Sequence, residues 1–356
     1  MKKTIAFAAG IIFAAAPFFA QNSYSESDLV WKDDFGGNMN LSKGINFGGW
    51  LSQCYHTKEH YDSFINEDDV RRAAGWGFDH IRLPFDSEVV QNPDGTFIEE
   101  GFSRLEKFAG WAEDSGLDVV LDLHKACGYD FNDAGTENGN PLFSSPHLQE
   151  LFVSLWNEVS SRFGGKKNVA FELLNEVVEQ EATEPWNTLI DRTLSVIRNN
   201  APETFVIYGG IQWNSARTLR LLRKPEFRNV IFTFHFYEPL IFTHQKAPWV
   251  PGMSPDREIK YPDTDGNLPG IELMRQMIGE ACAAAENAGV PVYCGEYGVI
   301  DRAPVKGTEA WFADVHKIFR EFGVGHAVWT YKEMDFGLTE SHYDEIRSEL
   351  IKMMTE

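Results

Sequence analysis

Eight short apolar runs recur along this chain, and helical patterns separate them. The runs are INFGGWL (45–51), DHIRLPF (79–85), DVVLDLH (118–124), NVAFELLNE (168–176), TFVIYGG (204–210), NVIFTFHFY (229–237), PVYCGEYG (291–298) and GHAVWTYK (325–332). They are rich in Val, Ile and Phe, the composition of parallel strands covered on both faces. Between them, Phe102, Leu105, Phe108 and Ala112 recur at helical spacing, as do Ile271, Met274, Ile278, Cys282 and Ala285. Tyr343, Ile346, Leu350 and Met353 repeat the pattern near the C-terminus. Asn66 ahead of EDDVRRAAG predicts an N-cap with an acidic first turn, and Gly75, Gly116 and Gly289 suit helix ends. Eight strands each followed by a helix predict an α/β fold, a closed (β/α)8 TIM barrel in one domain. An open doubly wound sheet is the alternative, and it would use fewer strands. The segment 238–268, with five prolines and Trp249, is too irregular for a helix and reads as a functional loop.

Composition narrows the partners. A chain of 356 residues, 43% hydrophobic, can bury a core of barrel size. Its formal net charge of −21 supplies no basic footprint for nucleic acid, yet it is indifferent to neutral ligands such as sugars. Lys2 and Lys3 precede the apolar stretch Ile5–Ala20, and polar QNSYSESD follows. That order predicts a signal peptide over 1–20, an extension over 21–37 and the barrel over 38–356, in a secreted or periplasmic protein. A membrane anchor is the other reading, but the run is short for a span of about 20 residues. Cys54, Cys127, Cys282 and Cys294 form no C-x-x-C pair or zinc spacing, and Cys294 is expected as a buried free thiol.

In such barrels chemistry sits where the strands end. Here the second run delivers Arg82, the third His124, and the fourth Asn175 and Glu176. The sixth delivers His235 and Tyr237, the seventh Glu296, and the eighth Trp329. Each alone has a plain explanation, since a lone His or Trp is usually core and a lone Glu is usually solvated. All of them at one rim form a site. Two glutamates from opposite sides of a ring suit glycosidic bond cleavage, in which one carboxyl protonates the departing oxygen and the other acts at the anomeric carbon. Trp50, Trp213, Trp249 and Trp329 lie at or just past run ends, where they could serve as sugar platforms. No His-x-His strand or Lys/Asp/Glu ligand set converges, so neither a metal nor a cofactor is called for.

Together IRLPF, LDLH, LLNE, HFY, CGEYG and VWTYK resemble glycoside hydrolase family 5, the large cellulase and mannanase family of (β/α)8 barrels. GINFGGWLSQ, FELLNEVVE, FHFYEPLIFTHQKAPW, YCGEYGVI and YKEMDF are similar to its endoglucanase C-like bacterial members. The resemblance implies that Glu176 is the acid/base and Glu296 the nucleophile. It places Arg82, His124, Asn175, His235, Tyr237 and Trp329 around them, with Asn175 on the sugar 2-hydroxyl. It also implies a retaining endo-β-1,4-glucanase, with mannan, xyloglucan, mixed-linkage or β-1,3-glucan as alternative substrates. The expected partner is a β-glucan polysaccharide or oligosaccharide bound by a monomer, with no nucleic acid and no membrane span. A non-catalytic carbohydrate-binding barrel is the rival of another class, and it would lack a catalytic glutamate. Val177 stands where members often have Pro, Lys125 where many have a second His, and the link between the sixth and seventh strands is shorter than in similar members.

Overall fold

The computed structural model describes residues 39–136, 139–263 and 270–356, so the leader and extension assigned to 1–37 lie outside it. Eight strands close into a parallel barrel in sequence order: β1 (Lys43–Asn46), β2 (His80–Asp86), β3 (Asp118–Lys125), β4 (Val169–Glu172), β5 (Val206–Gly209), β6 (Val230–Phe236), β7 (Val292–Tyr297) and β8 (Gly325–Val328). Gly44 opposite Ala327 joins the last strand to the first. Helices α1 (Lys58–Ser63) and α2 (Glu67–Gly75) precede β2; α3 (Glu99–Asp114), α4 (Pro146–Phe163) and α5 (Thr183–Asn200) follow β2, β3 and β4. Then α6 (Leu240–Thr243) and α7 (Ile271–Ala288) lie between β6 and β7, and α8 (Val305–Phe322) and α9 (Arg347–Thr355) flank β8.

The expected helix after every strand fails once. Only a 3-10 turn, Ala216–Leu221, follows β5. The proline-rich link is likewise not wholly irregular, since it opens with α6. Beyond α6 it is pinned by Gln245, whose amide exchanges hydrogen bonds of 3.1 and 3.0 Å with the backbone of Ile259. Near the C-terminus, α9 begins only at Arg347, and Met354 rather than Met353 is buried. Gly116 and Gly289 do end helices with positive φ, whereas after α2 that role falls to Gly77, not Gly75.

Alternation along the strands divides two cores. Val119, Leu121 and Leu123 face the helices, while Val120 joins Leu41, Ala170, Ile207, Ile231, Tyr293 and Ala327 inside the barrel. The same alternation sends Arg82, Asp122, His124, Glu172 and His235 inward above that apolar plug. Strand β7 needs a correction to obey it. Cys294 pairs with Phe234 but Glu296 pairs with His235, so Gly295 is an extra residue that turns Glu296 toward the barrel axis. A Cβ on Gly295 would sit 2.9 Å from Thr233 Oγ1, so a side chain at this bulge would have to displace Thr233.

Helix α2 shows how local sequence fixes the frame. Asn66 Oδ1 accepts from the Asp68 amide at 2.8 Å, and Asp69 accepts from the Asn66 amide at 3.0 Å. Replacing Asn66 by Ala removes half of this box. Urea denaturation should show a loss of about 1 kcal/mol at an unchanged m-value.

Candidate active site

Arg82 is fully buried at the centre of the rim. Its Nε and Nη2 donate to the two oxygens of Glu172 at 2.7 and 3.0 Å, and Nη2 lies 3.0 Å from Asp122 Oδ2. Nη1 donates to Asn46 Oδ1 at 2.9 Å and to Glu296 Oε1 at 2.7 Å. Nη2 also donates to Asn175 Oδ1 at 2.8 Å. Because guanidinium only donates, the Asn175 oxygen must face it, which leaves the Asn175 NH2 for the open site.

Glu296 thus carries Arg82 on one oxygen and the Tyr237 hydroxyl on the other, at 3.0 Å. Burial pushes the Tyr237 phenol up, so it stays a donor. Glu176 has no cation of its own. His235 Nδ1 lies 2.7 Å from its Oε1 and 3.6 Å from Glu296 Oε2. Burial holds His235 down to about 4, so this contact is a hydrogen bond from a neutral ring rather than an ion pair. Burial also raises the Glu176 carboxyl to about 7, against the pull of His124 and Arg82. With Oε1 occupied by His235, Oε2 is left to carry a transferable proton.

His124 is likewise neutral, held down to about 4 by burial. Its Nδ1 donates to Asp122 Oδ2 at 2.7 Å, so Nε2 accepts, with Gln53 Nε2 at 3.0 Å and Asn175 Nδ2 at 3.5 Å. Its ring lies parallel to Trp329, at 6° and 5.7 Å between centroids.

The eight polar and aromatic residues expected at the strand ends therefore come together. The other three tryptophans do not behave alike. Trp50 is a correction: it is 2% exposed, packs on Phe108 and donates to the Tyr61 carbonyl, so it is core and offers no sugar platform. Trp213 is 55% exposed, and its amide bonds the carbonyl of Val177, beside Glu176. Trp249 is 51% exposed, with the Arg302 guanidinium 5.9 Å from its ring centre. Asn46, Asp122, Glu172 and Gln53 are the site residues that the strand-end pattern missed.

Two groups of described residues bring three possible metal-ligand atoms within 4.8 Å: Glu176, His235 and Glu296, and His56, Asp86 and Glu88. The first is the carboxylate pair itself, with Arg82 already beside it. In the second, hydrogen bonding to Asp86 raises His56 to about 10, so the histidine is itself the cation.

A closed (β/α)8 barrel with two unlike carboxylates and a ring of polar donors at its C-terminal rim is the architecture of a glycoside hydrolase. The sequence profile of the cellulase family, glycosyl hydrolase family 5, matches residues 42–335, and the chain belongs to that family. It is 40% identical to cellodextrinase A of Ruminococcus flavefaciens over 285 residues, covering 80% of this chain and 83% of the relative. It is 35% identical to endoglucanase C of Acetivibrio thermocellus over 344 residues, covering 89% and 98%. Among solved structures, endoglucanase Cel5A from Thermotoga maritima superposes with a TM-score of 0.73 at 25% identity, covering 88% of this chain and 97% of that one.

Two outcomes follow from the geometry. Arg82→Ala strands buried carboxylates without a partner, and chemical denaturation should show a loss of about 3–5 kcal/mol. Under the acid role that the resemblance implies for Glu176, it must hold its proton, so kcat/KM should fall as pH rises through about 7. A pH profile whose alkaline limb stays in place when Glu176 is replaced would assign that limb to another group.

Proposed function

We propose that this chain is an exported, retaining endo-β-1,4-glucanase. One observation carries the retaining assignment: an oxygen of Glu176 lies within 4.8 Å of an oxygen of Glu296. Retaining carboxyls stand about 5–5.5 Å apart, whereas inverting pairs leave about 6.5–9.5 Å for a water. In this reading Glu296, oriented by Arg82 and Tyr237, attacks the anomeric carbon from below. Glu176 gives its proton to the departing sugar oxygen, then takes one from water as the glycosyl–Glu296 ester is hydrolysed. Asn175 donates to the 2-hydroxyl. Trp213, tied beside Glu176, offers the leaving sugar an exposed aromatic face.

The β-1,4-glucan substrate is supported by relatives named endoglucanase C and cellodextrinase A. Export is supported by the leader pattern of Lys2–Ala20. Among the described residues no helix is long and apolar enough to cross a membrane.

The test separates the two carboxyls. Glu176→Ala should lose polysaccharide hydrolysis yet still form the glycosyl-enzyme from an aryl glycoside with an acidic phenol. Added azide should then speed turnover and yield a β-glycosyl azide, because azide needs no base. Glu296→Ala should lose both substrates, and any azide product should be α-linked. The reverse pair of products would mean that the two roles are exchanged.

A further inference from the structure

Four buried polar atoms near the His235 ring have no hydrogen-bond partner among the described residues: His235 Nε2, Thr233 Oγ1, and both Oδ1 and Nδ2 of Asn214. The fold brings them together. Thr233 and His235 both point inward from β6, because Phe232 and Phe234 take the helix-facing side. Gly209 on β5 pairs with Thr233, and the Asn214 side chain fills the space that a Cβ on Gly209 would need. Gly295 on β7 opens the other side, since a Cβ there would lie 2.9 Å from Thr233 Oγ1 and 3.3 Å from His235 Nε2. Gln212, Trp213 and Asn214 all take positive φ, at 54°, 56° and 53°. That turn folds Asn214 back against β6, where its carbonyl accepts from the His235 amide at 2.9 Å. Backbone strain of this kind gathers at functional positions.

His235 is neutral, so only one of its ring nitrogens carries hydrogen. Nδ1 lies 2.7 Å from Glu176 Oε1, and two arrangements satisfy that contact. With hydrogen on Nδ1, the ring donates to Oε1, and a proton on Glu176 must sit on Oε2, the oxygen left free. With hydrogen on Nε2, the ring accepts at Nδ1 and holds the Glu176 proton on Oε1. Only the first leaves a proton for a departing group and then stabilises the carboxylate that remains. Which nitrogen is protonated depends on what the other one meets, so the first arrangement needs a donor at Nε2. The charged and titratable groups around the ring are Arg82 on β2, His124 on β3, Glu172 on β4, Glu176 just past it and Glu296 on β7. None of them bonds Nε2. The Thr233 hydroxyl and the Asn214 amide are the uncommitted polar groups on that side.

We propose that Thr233 and Asn214 are positioning residues, which hold one buried water that donates to His235 Nε2 and so fix the ring in its Nδ1–H tautomer. Buried waters sit where several otherwise unmet polar atoms surround one point. This water gives one hydrogen to Nε2 and the other to Asn214 Oδ1, and it accepts from the Thr233 hydroxyl. The proposal rests on the reading of Glu176 as the acid/base and adds the groups that set its proton on Oε2. Thr233 and Asn214 are fully buried, so they act through His235 and not on the sugar.

Two measurements test it, on the native enzyme, on Thr233→Val and on Thr233→Ser, which keeps the hydroxyl. The first is the 15N spectrum of histidine-labelled protein without substrate, with His235 assigned by its loss in His235→Gln. The native ring should be protonated at Nδ1 and bare at Nε2. Thr233→Val should bring the Nε2–H form to about a third of the population or more, and Thr233→Ser should keep the native form. A native ring protonated at Nε2, or a Thr233→Val ring unchanged from native, overturns the proposal. The second is the pH profile of kcat/KM. Ionised Glu176 loses part of its hydrogen bond from Nδ1 in Thr233→Val, which raises its carboxyl further. The alkaline limb should therefore move up by about half a pH unit, with kcat down about tenfold and KM within about twofold of native. Thr233→Ser should restore both. Equal loss of activity in the two variants, with the limb in place and the tautomer native, makes Thr233 a packing residue and overturns the proposal. A tautomer shift in Thr233→Val with the limb in place would instead keep the positioning of the ring and remove Glu176 as the acid.

Discussion

A single buried guanidinium holds the catalytic rim together. Arg82 on β2 reaches Asn46 on β1, Asp122 on β3, Glu172 on β4, Asn175 just past β4 and Glu296 on β7. It therefore ties five of the eight strands above the apolar plug. One cation among three carboxylates leaves an excess of negative charge in a dry interior. Burial accordingly raises both Glu172 and Asp122, the latter to about 7, with Arg82 opposing the shift in each. Arg82 thus offsets part of the burial penalty on the carboxylates around Glu296. Such an arrangement is costly to dismantle piecemeal, because each lost partner leaves a buried group alone.

From that hub the two carboxylates proposed as catalytic acquire different characters. Glu296 receives a cation and a phenol, both donating to it. Glu176 receives only a neutral imidazole, and burial decides its proton affinity. Two chemically identical side chains are given unlike surroundings, which suits the proposed division into nucleophile and proton donor. The bulge at Gly295 is the backbone half of this device, since without it Glu296 would follow Cys294 into the helix-facing layer.

Much of this was legible in the sequence because strand periodicity and strand ends are written residue by residue. His124, Asn175, Glu176, His235, Tyr237, Glu296 and Trp329 stand at or near the ends of apolar runs, Arg82 is a charge inside one, and the barrel brings them together. Asp122 and Glu172 are single acidic residues inside LDLH and FELL rather than at a run end. Their inward direction depends on the registers of β3 and β4, and their partner lies on another strand. Trp50 misled for a related reason: an aromatic just past a strand can turn to solvent or to the core, and here Phe108 on α3 supplies the core contact. Gln53 had no signal at all, since its reach to His124 comes from a left-handed backbone turn. The missing helix after β5 was hidden because Ala216–Leu221 is apolar enough to suit either a helix or a short turn.

The histidines show that a carboxylate partner does not by itself fix a charge. His124 has Asp122 at 2.7 Å, yet it is held down to about 4. His56 has Asp86 at 3.1 Å and is raised to about 10. The difference lies in what else each carboxylate serves and how much water remains. Asp122 is fully buried and shared with Arg82, so its charge is already engaged and desolvation of the imidazole wins. His56 is partly exposed and meets Glu88 as well at 2.7 Å. A neutral imidazole can accept at Nε2, here from the Gln53 amide, while its Nδ1–H stays fixed, which an imidazolium cannot do. The interior thus keeps His124 and His235 as neutral hydrogen-bonding groups, whereas His56 lies at a cavity wall, where two carboxylates stabilise its charge.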